Sequence, residues 1–121
     1  MRRSMQRKII LDIINNSNEH LDAYGLYYAA REKLSRISLG TIYRNLKSLV
    51  DTGEIDVIYD GTDKLRYDKR EDHQHFLCTK CHKIIDIYDL DFKKPTNYKD
   101  NKVVSYKIVL EGLCENCQKE E

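Results

Sequence analysis

Four cysteines stand at two identical spacings, Cys78-Thr79-Lys80-Cys81 and Cys114-Glu115-Asn116-Cys117. In a C-x-x-C turn both sulfurs can reach one ion, and four thiolates from two such turns suit tetrahedral zinc. A structural zinc is the expected occupant, against a thiol redox switch or thiols packed as small apolar groups. A second constellation lies beside the first: His73, His75, Asp68 and Asp86, with His20 available from far upstream. In an extended segment His73 and His75 share a face, whereas Cys78, an odd number of positions on, points the other way. The imidazoles and thiolates therefore belong to different sites. Mixed imidazole and carboxylate ligands accept Fe²⁺ or Mn²⁺ as well as Zn²⁺, and a site without thiolates lacks the feature that most favours zinc. Taken singly, His73-x-His75 also fits a plain surface strand, and His20 a solvated turn beside a helix cap.

Both constellations need elements to position them. From Gln6 to Asn15 the residues Ile9, Ile10, Ile13 and Ile14 fall on one face, which predicts a first helix ended by Asn15-Asn16-Ser17-Asn18. Asp22 caps a second helix running to about Leu34, with Leu26, Tyr27, Ala30 and Leu34 as candidate buried positions. Ser38 caps a third, whose Ile42, Leu46, Leu49 and Val50 form the apolar stripe and which Gly53 stops. The other face of that helix offers Gly40, Thr41, Tyr43, Arg44 and Lys47. Small residues, a hydroxyl, a phenol and two cations together suit the floor and walls of a DNA major groove. Ile55, Val57 and Tyr59 alternate with Asp56 and Ile58, Asp60-Gly61-Thr62-Asp63 turns the chain, and Leu65 and Tyr67 alternate back. Three helices and a hairpin make a winged helix; a small helical domain with Tyr43 in its core is the competing reading. Further on, the runs Ile84 to Tyr88 and Val103 to Leu110 read as strands able to bring the two cysteine turns together.

With 121 residues the chain suits one ordinary domain or two small ones, and a large catalytic core is not expected. No stretch has the roughly 20 apolar residues of a membrane span, and a cytoplasmic location is expected, in which cysteines stay reduced. The net charge of +1 hides an asymmetry: residues 1 to 50 hold nine Lys/Arg against four Asp/Glu, and the rest of the chain is acidic. A basic front half points to a polyanion partner.

These residues resemble the ferric uptake regulator (Fur) family of bacterial metal-dependent repressors. The resemblance is carried by Gln6-Arg7, His20-Leu21-Asp22-Ala23, Ser38-Leu39-Gly40-Thr41-Ile42-Tyr43-Arg44-Asn45-Leu46, Gly53 with Ile55, Arg66-Tyr67-Asp68, His73-Gln74-His75-Phe76-Leu77-Cys78-Thr79-Lys80-Cys81 and Cys114-Glu115-Asn116-Cys117. Together they cover nearly the whole chain in family order. The resemblance implies an α+β protein: an N-terminal winged helix-turn-helix DNA-binding domain over 1–69, then a small α/β dimerisation domain over 70–121. It implies a zinc held by Cys78, Cys81, Cys114 and Cys117, and a regulatory Fe²⁺ or Mn²⁺ on His20, Asp68, His73, His75 and Asp86. Metal would favour the arrangement in which a homodimer sets both recognition helices into a palindromic operator of double-stranded DNA. Aspartate at both carboxylate positions, Asp68 and Asp86, resembles the peroxide-responsive branch rather than the iron regulators, which commonly carry glutamate. That branch implies oxidation of His20 or His73 beside bound Fe²⁺, with release of DNA.

The chain also departs from the family pattern. Members usually have a further helix before the first one, which can contribute to DNA contact, so here affinity would be weaker or the contacts would shift onto Arg2, Arg3 and Arg7. Glycine commonly follows the second cysteine, where this chain has His82, which would strain a left-handed turn, add a ligand or simply sit in a solvated loop. The dimer-domain helix is curtailed, since residues 91–101 contain Pro95 and only Phe92 and Tyr98 as large apolar residues. The rival functions are a general iron, zinc or manganese sensor of the same family, a zinc-ribbon interaction or metal-buffering protein, and a metal hydrolase. No separate general base or substrate loop speaks for the enzyme, and the third helix would be left without a purpose.

Overall fold

The computed structural model describes residues 2–119, and the chain forms two compact units that divide between Glu71 and Asp72. The first contains α1 (Arg2–Asn15), α2 (Ala23–Arg31), α3 (Leu39–Asp51) and a hairpin of β1 (Ile55–Tyr59) and β2 (Leu65–Lys69). This is the helix order and hairpin of a winged helix. Asp22 caps α2, its carboxylate accepting the Gly25 N–H at 2.8 Å, and Ser38 caps α3, its hydroxyl accepting the Thr41 N–H at 3.1 Å. Each cap stabilises its helix by about 1 kcal/mol. At the other end of α3 the Gly53 N–H donates to the Val50 carbonyl and the Glu54 N–H to the Leu49 carbonyl, with Gly53 at φ 74°. That double closure needs a left-handed residue, which explains the glycine. Ile10, Leu26, Ile42, Leu46 and Leu49 are almost wholly excluded from water and form the centre of the core.

Three local expectations shift. The first helix begins at Arg2 rather than Gln6, with Ile10 and Ile14 buried and Ile9 and Ile13 flanking them. The second helix ends at Arg31, not near Leu34; Leu34 donates its N–H to the Ala30 carbonyl at 2.8 Å in a closing turn and packs at the edge of the core. In β1 the buried residues are Ile55 and Ile58, whereas Tyr59 is 62% exposed, so strict alternation fails. A two-stranded ribbon twists strongly and rotates its faces along a short strand.

In the second unit β3 (Gln74–Cys78) lies between β4 (Ile84–Ile87), antiparallel to it, and β7 (Val109–Gly112), parallel to it. The expected second strand over Val103 to Leu110 is thus shorter and later than the apolar pattern suggested. A small hairpin of β5 (Asn97–Tyr98) and β6 (Asn101–Lys102) replaces the curtailed helix expected over 91–101, where every residue is exposed. With no apolar stripe to bury and Pro95 in its midst, that segment has no reason to be helical. A single turn, α4 (Glu115–Gln118), ends the described chain.

Candidate metal centres

The register of the sheet assembles the cysteines. Cys78 ends β3 opposite Gly112 of β7, which places Cys114 two residues beyond the strand as the residue that opens α4, with Cys117 inside that turn. The first cysteine turn closes by hydrogen bonds from the His82 N–H to the Cys78 carbonyl and from the Cys78 N–H to the Lys83 carbonyl, both 2.9 Å. His82 takes φ 64°, so the residue that stands in place of the usual glycine does occupy the left-handed region. The four sulfurs lie within 4.8 Å of one another, and Cys81 Sγ is 3.9 Å from Cys114 Sγ. Tetrahedral zinc at about 2.3 Å from each sulfur requires sulfurs about 3.8 Å apart, so the cluster has the dimensions of a zinc site. Cys78, Cys114 and Cys117 are buried and all four are free thiols.

Close packing divides the ionisation of the sulfurs unequally. The Cys78 sulfur accepts the backbone N–H groups of Cys81 (3.5 Å) and Cys114 (3.4 Å), and these bonds, that of Cys81 foremost, draw its thiol down to about 5. Cys117 is pushed up to about 12, first by its hydrogen bond to Cys114 and then by loss of solvent. Four close sulfurs split their titrations in this way, and a divalent cation among them favours the thiolate at every position.

The imidazoles and carboxylates form donor groups in each unit. In the first, His20 Nε2 lies 3.3 Å from Asp68 Oδ2, with the side chains 4% and 1% exposed. His20 itself is at φ 53°. Asp68 stands directly across the ladder from Asp56, a like-charge pairing that destabilises a hairpin unless cations answer it. Asp56 has Arg70 at 3.7 Å, and Asp68 has His20. In the second unit His75 of β3 is opposite Asp86 of β4. Asp86 Oδ1 is 3.4 Å from His75 Nε2 and 3.1 Å from His73 Nε2, and the side chain of His73 is fully buried. The same nitrogens can donate protons to the carboxylate or turn lone pairs, with it, onto a cation. Donors of this kind without sulfur suit Fe²⁺ and Mn²⁺ as well as Zn²⁺.

On α3, Gly40, Tyr43, Arg44 and Lys47 are exposed and Thr41 is half-buried. The Thr41 hydroxyl accepts from Ser38 Oγ at 3.0 Å and Arg44 Nη2 at 2.9 Å, and Lys47 Nζ rests 2.9 Å from Asp51 Oδ2. Arg44 keeps further N–H donors besides that bond, since a guanidinium has five.

Two partners of these groups escaped the sequence reading. Tyr88 stacks on His73 with ring centroids 5.2 Å apart and 19° between the planes. Arg66 donates from Nη1 to the His20 carbonyl at 3.2 Å and from Nε to Asp60 Oδ2 at 2.9 Å. Strand alternation places Arg66 on the Asp68 face of β2, which was the available signal; nothing in one dimension announces its reach to residue 20.

The family model described as "Ferric uptake regulator family" matches residues 1–110. The chain is 30% identical over 120 residues to the peroxide-responsive repressor PerR of Staphylococcus epidermidis, covering 95% of this chain and 80% of that one. Among solved structures it resembles the Campylobacter jejuni peroxide stress regulator, with a TM-score of 0.79, 30% identity, and coverage of 96% and 91%. It also resembles the Helicobacter pylori ferric uptake regulator Fur, described with three functional metal binding sites, with a TM-score of 0.76, 25% identity, and coverage of 94% and 80%.

Proposed function

Because this chain belongs to the ferric uptake regulator family of metal-responsive, DNA-binding dimeric regulators, we propose that it is a transcriptional repressor that holds its operator while a regulatory Fe²⁺ or Mn²⁺ is bound and releases it on exposure to hydrogen peroxide. The observation that carries the reading is the segregation of donors. Sulfurs cluster by themselves at zinc spacing, whereas imidazole nitrogens meet aspartate oxygens, at His20 with Asp68 and at His73 and His75 with Asp86.

In this reading Cys78, Cys81, Cys114 and Cys117 hold a structural zinc, and His20, Asp68, His73, His75 and Asp86 bind the regulatory ion. When bound, Fe²⁺ would supply the one-electron chemistry that splits the O–O bond of H₂O₂, which Mn²⁺ does poorly. Net, H₂O₂ would be the two-electron oxidant and the ring of His20 or His73 the reductant: a ring C–H would become C–OH and the second peroxide oxygen would leave as water. The altered ring no longer serves as the same donor, so the regulatory ion is lost and the DNA-competent arrangement with it.

The basic first half presents Gly40, Thr41, Tyr43, Arg44 and Lys47 of α3 to the major groove, and two copies in a homodimer read the halves of a palindromic operator. Dimerisation falls to the second unit, where Ile85, Val109 and Leu110 are apolar and exposed on the strands of its sheet. The protein acts in the cytoplasm. Among the described residues no helix is long and apolar enough to cross a membrane.

Operator binding measured by gel shift, with and without added Mn²⁺, tests the reading. The repressor retards a palindromic site only when Mn²⁺ is present and its His20→Ala variant does not. A metal-buffering protein retards no DNA under either condition, and a plain iron or manganese sensor behaves like the repressor but keeps its DNA after peroxide.

A further inference from the structure

The segment that carries His20 runs along β2 and is fastened to it repeatedly. Asn18 Oδ1 accepts from Lys69 Nζ at 3.0 Å, the Leu21 carbonyl accepts the Tyr67 N–H at 3.0 Å, and His20 Nε2 meets Asp68. The Arg66 contact differs in kind, because it reaches the His20 backbone from a group that is itself anchored. Arg66 Nε donates to Asp60 Oδ2, and Asp60 is only 1% exposed. The other Asp60 oxygen accepts the Thr62 N–H at 2.9 Å and the Thr62 hydroxyl, so the carboxylate is locked into the hairpin turn. One planar guanidinium therefore spans from the turn of the wing to the carbonyl of His20.

His20 needs such an anchor. Its φ of 53° crowds Cβ against the following carbonyl, and a residue stays in that region only where its surroundings fix it. The direction of the imidazole follows from that backbone.

We propose that Arg66, oriented by Asp60, is a positioning residue for the regulatory ion: it clamps the left-handed backbone of His20 so that the imidazole and Asp68 present their donors together, and it links that donor pair to the wing. The inference deepens the proposed function and rests on His20 being a ligand. Partners behind a metal ligand typically change affinity by roughly 10–100-fold, and Arg66 falls in that class although it touches no ion. The coupling is reciprocal, so a change at His20 reaches Asp60 and the wing turn by the same bridge.

The experiment is calorimetric titration of the zinc-loaded, full-length protein with Mn²⁺ alone, in a double-mutant cycle. Arg66→Gln weakens Mn²⁺ binding by about 10-fold or more, and Arg66→Lys less, because an ammonium can satisfy one of the two acceptors but not both in the same fork. Asp60→Asn weakens it in the same direction. His20→Ala also weakens it, and in the His20→Ala background Arg66→Gln adds less than about 2-fold, because the residue it positions is gone. Zinc content and the thermal midpoint of the metal-free regulatory form serve as controls, and the conservative Arg66→Lys keeps the test informative should Arg66→Gln disturb folding. Equal losses with and without His20, or full affinity in both Arg66 variants, overturn the proposal. Unchanged affinity in His20→Ala instead removes the reading on which it stands, a different and separately visible failure.

Discussion

His20 Nε2 lies 3.3 Å from Asp68 Oδ2, an imidazole and a carboxylate both almost wholly withdrawn from water. A buried aspartate that faces another aspartate across its ladder is costly unless positive charge is close. In the proposed site this pair would receive the regulatory cation, and Asp68→Asn removes the charge while keeping the shape. The expected outcome is a Mn²⁺ affinity weaker by at least about 10-fold, the low end of what loss of a partner behind a ligand costs, measured by titration, with zinc content unchanged. Retention of full affinity would place Asp68 outside the site.

Arg44 stands exposed on α3, with one hydrogen bond to Thr41 inside its own helix. Arg44→Ala should lower operator affinity by about 1–3 kcal/mol if the side chain reads a base edge. Fluorescence anisotropy against operator and scrambled DNA separates that from a phosphate contact, which would weaken both sequences alike. Mn²⁺ affinity in the absence of DNA should not change.

Among the described residues of the second unit the buried apolar ones are Leu77 and the cysteines Cys78, Cys114 and Cys117. So small a core does not hold a sheet by apolar burial, and metal ligation there is folding free energy. Cys114→Ser or exhaustive chelation should strip the zinc and abolish the dispersed amide signals of residues 74–118 in an NMR spectrum, while those of α1 to α3 persist. A fully dispersed spectrum from zinc-free protein would contradict a structural role.

Asp60 gives a pH dependence with a definite sign. Burial works to raise its carboxyl, but the Thr62 hydroxyl, the Arg66 guanidinium and the Thr62 N–H outweigh it and hold the group below its ordinary value. Its contribution to stability is therefore complete above the unfolded value of about 3.9 and is lost as the pH falls through the lower folded value. Unfolding of the first unit, followed in the full-length protein by the amide signals of α1 to α3 from about pH 5 to about pH 3, should show a smaller dependence on pH in Asp60→Asn than in the parent. An equal or steeper slope would contradict the assignment.

Much of this was legible in one dimension because the signals were local. Asp22 and Ser38 cap the helices they were expected to cap, Gly53 adopts the left-handed stop, and the two cysteine turns converge. Each depends on a side chain and its near neighbours. The failures came where distant packing decides. Tyr59 reads as the third member of an alternating strand, yet the twist of the ribbon turns it outward and brings Ile58 in. Val103 to Leu110 reads as one apolar run, yet only its last two residues join β7, since strand pairing begins where β3 offers a partner at His75. Arg66 was visible only as part of a family motif; its role depends on meeting Asp60 across a turn and His20 from 46 positions away.

The peroxide response is tested most directly by the intact mass and operator binding of protein loaded with Fe²⁺ or with Mn²⁺, before and after brief exposure to dilute H₂O₂. The account predicts a gain of one oxygen atom, located by fragmentation at His20 or His73, with DNA released only by the iron form. An unchanged mass, with DNA held by both forms, would contradict it and leave a regulator that answers to metal alone.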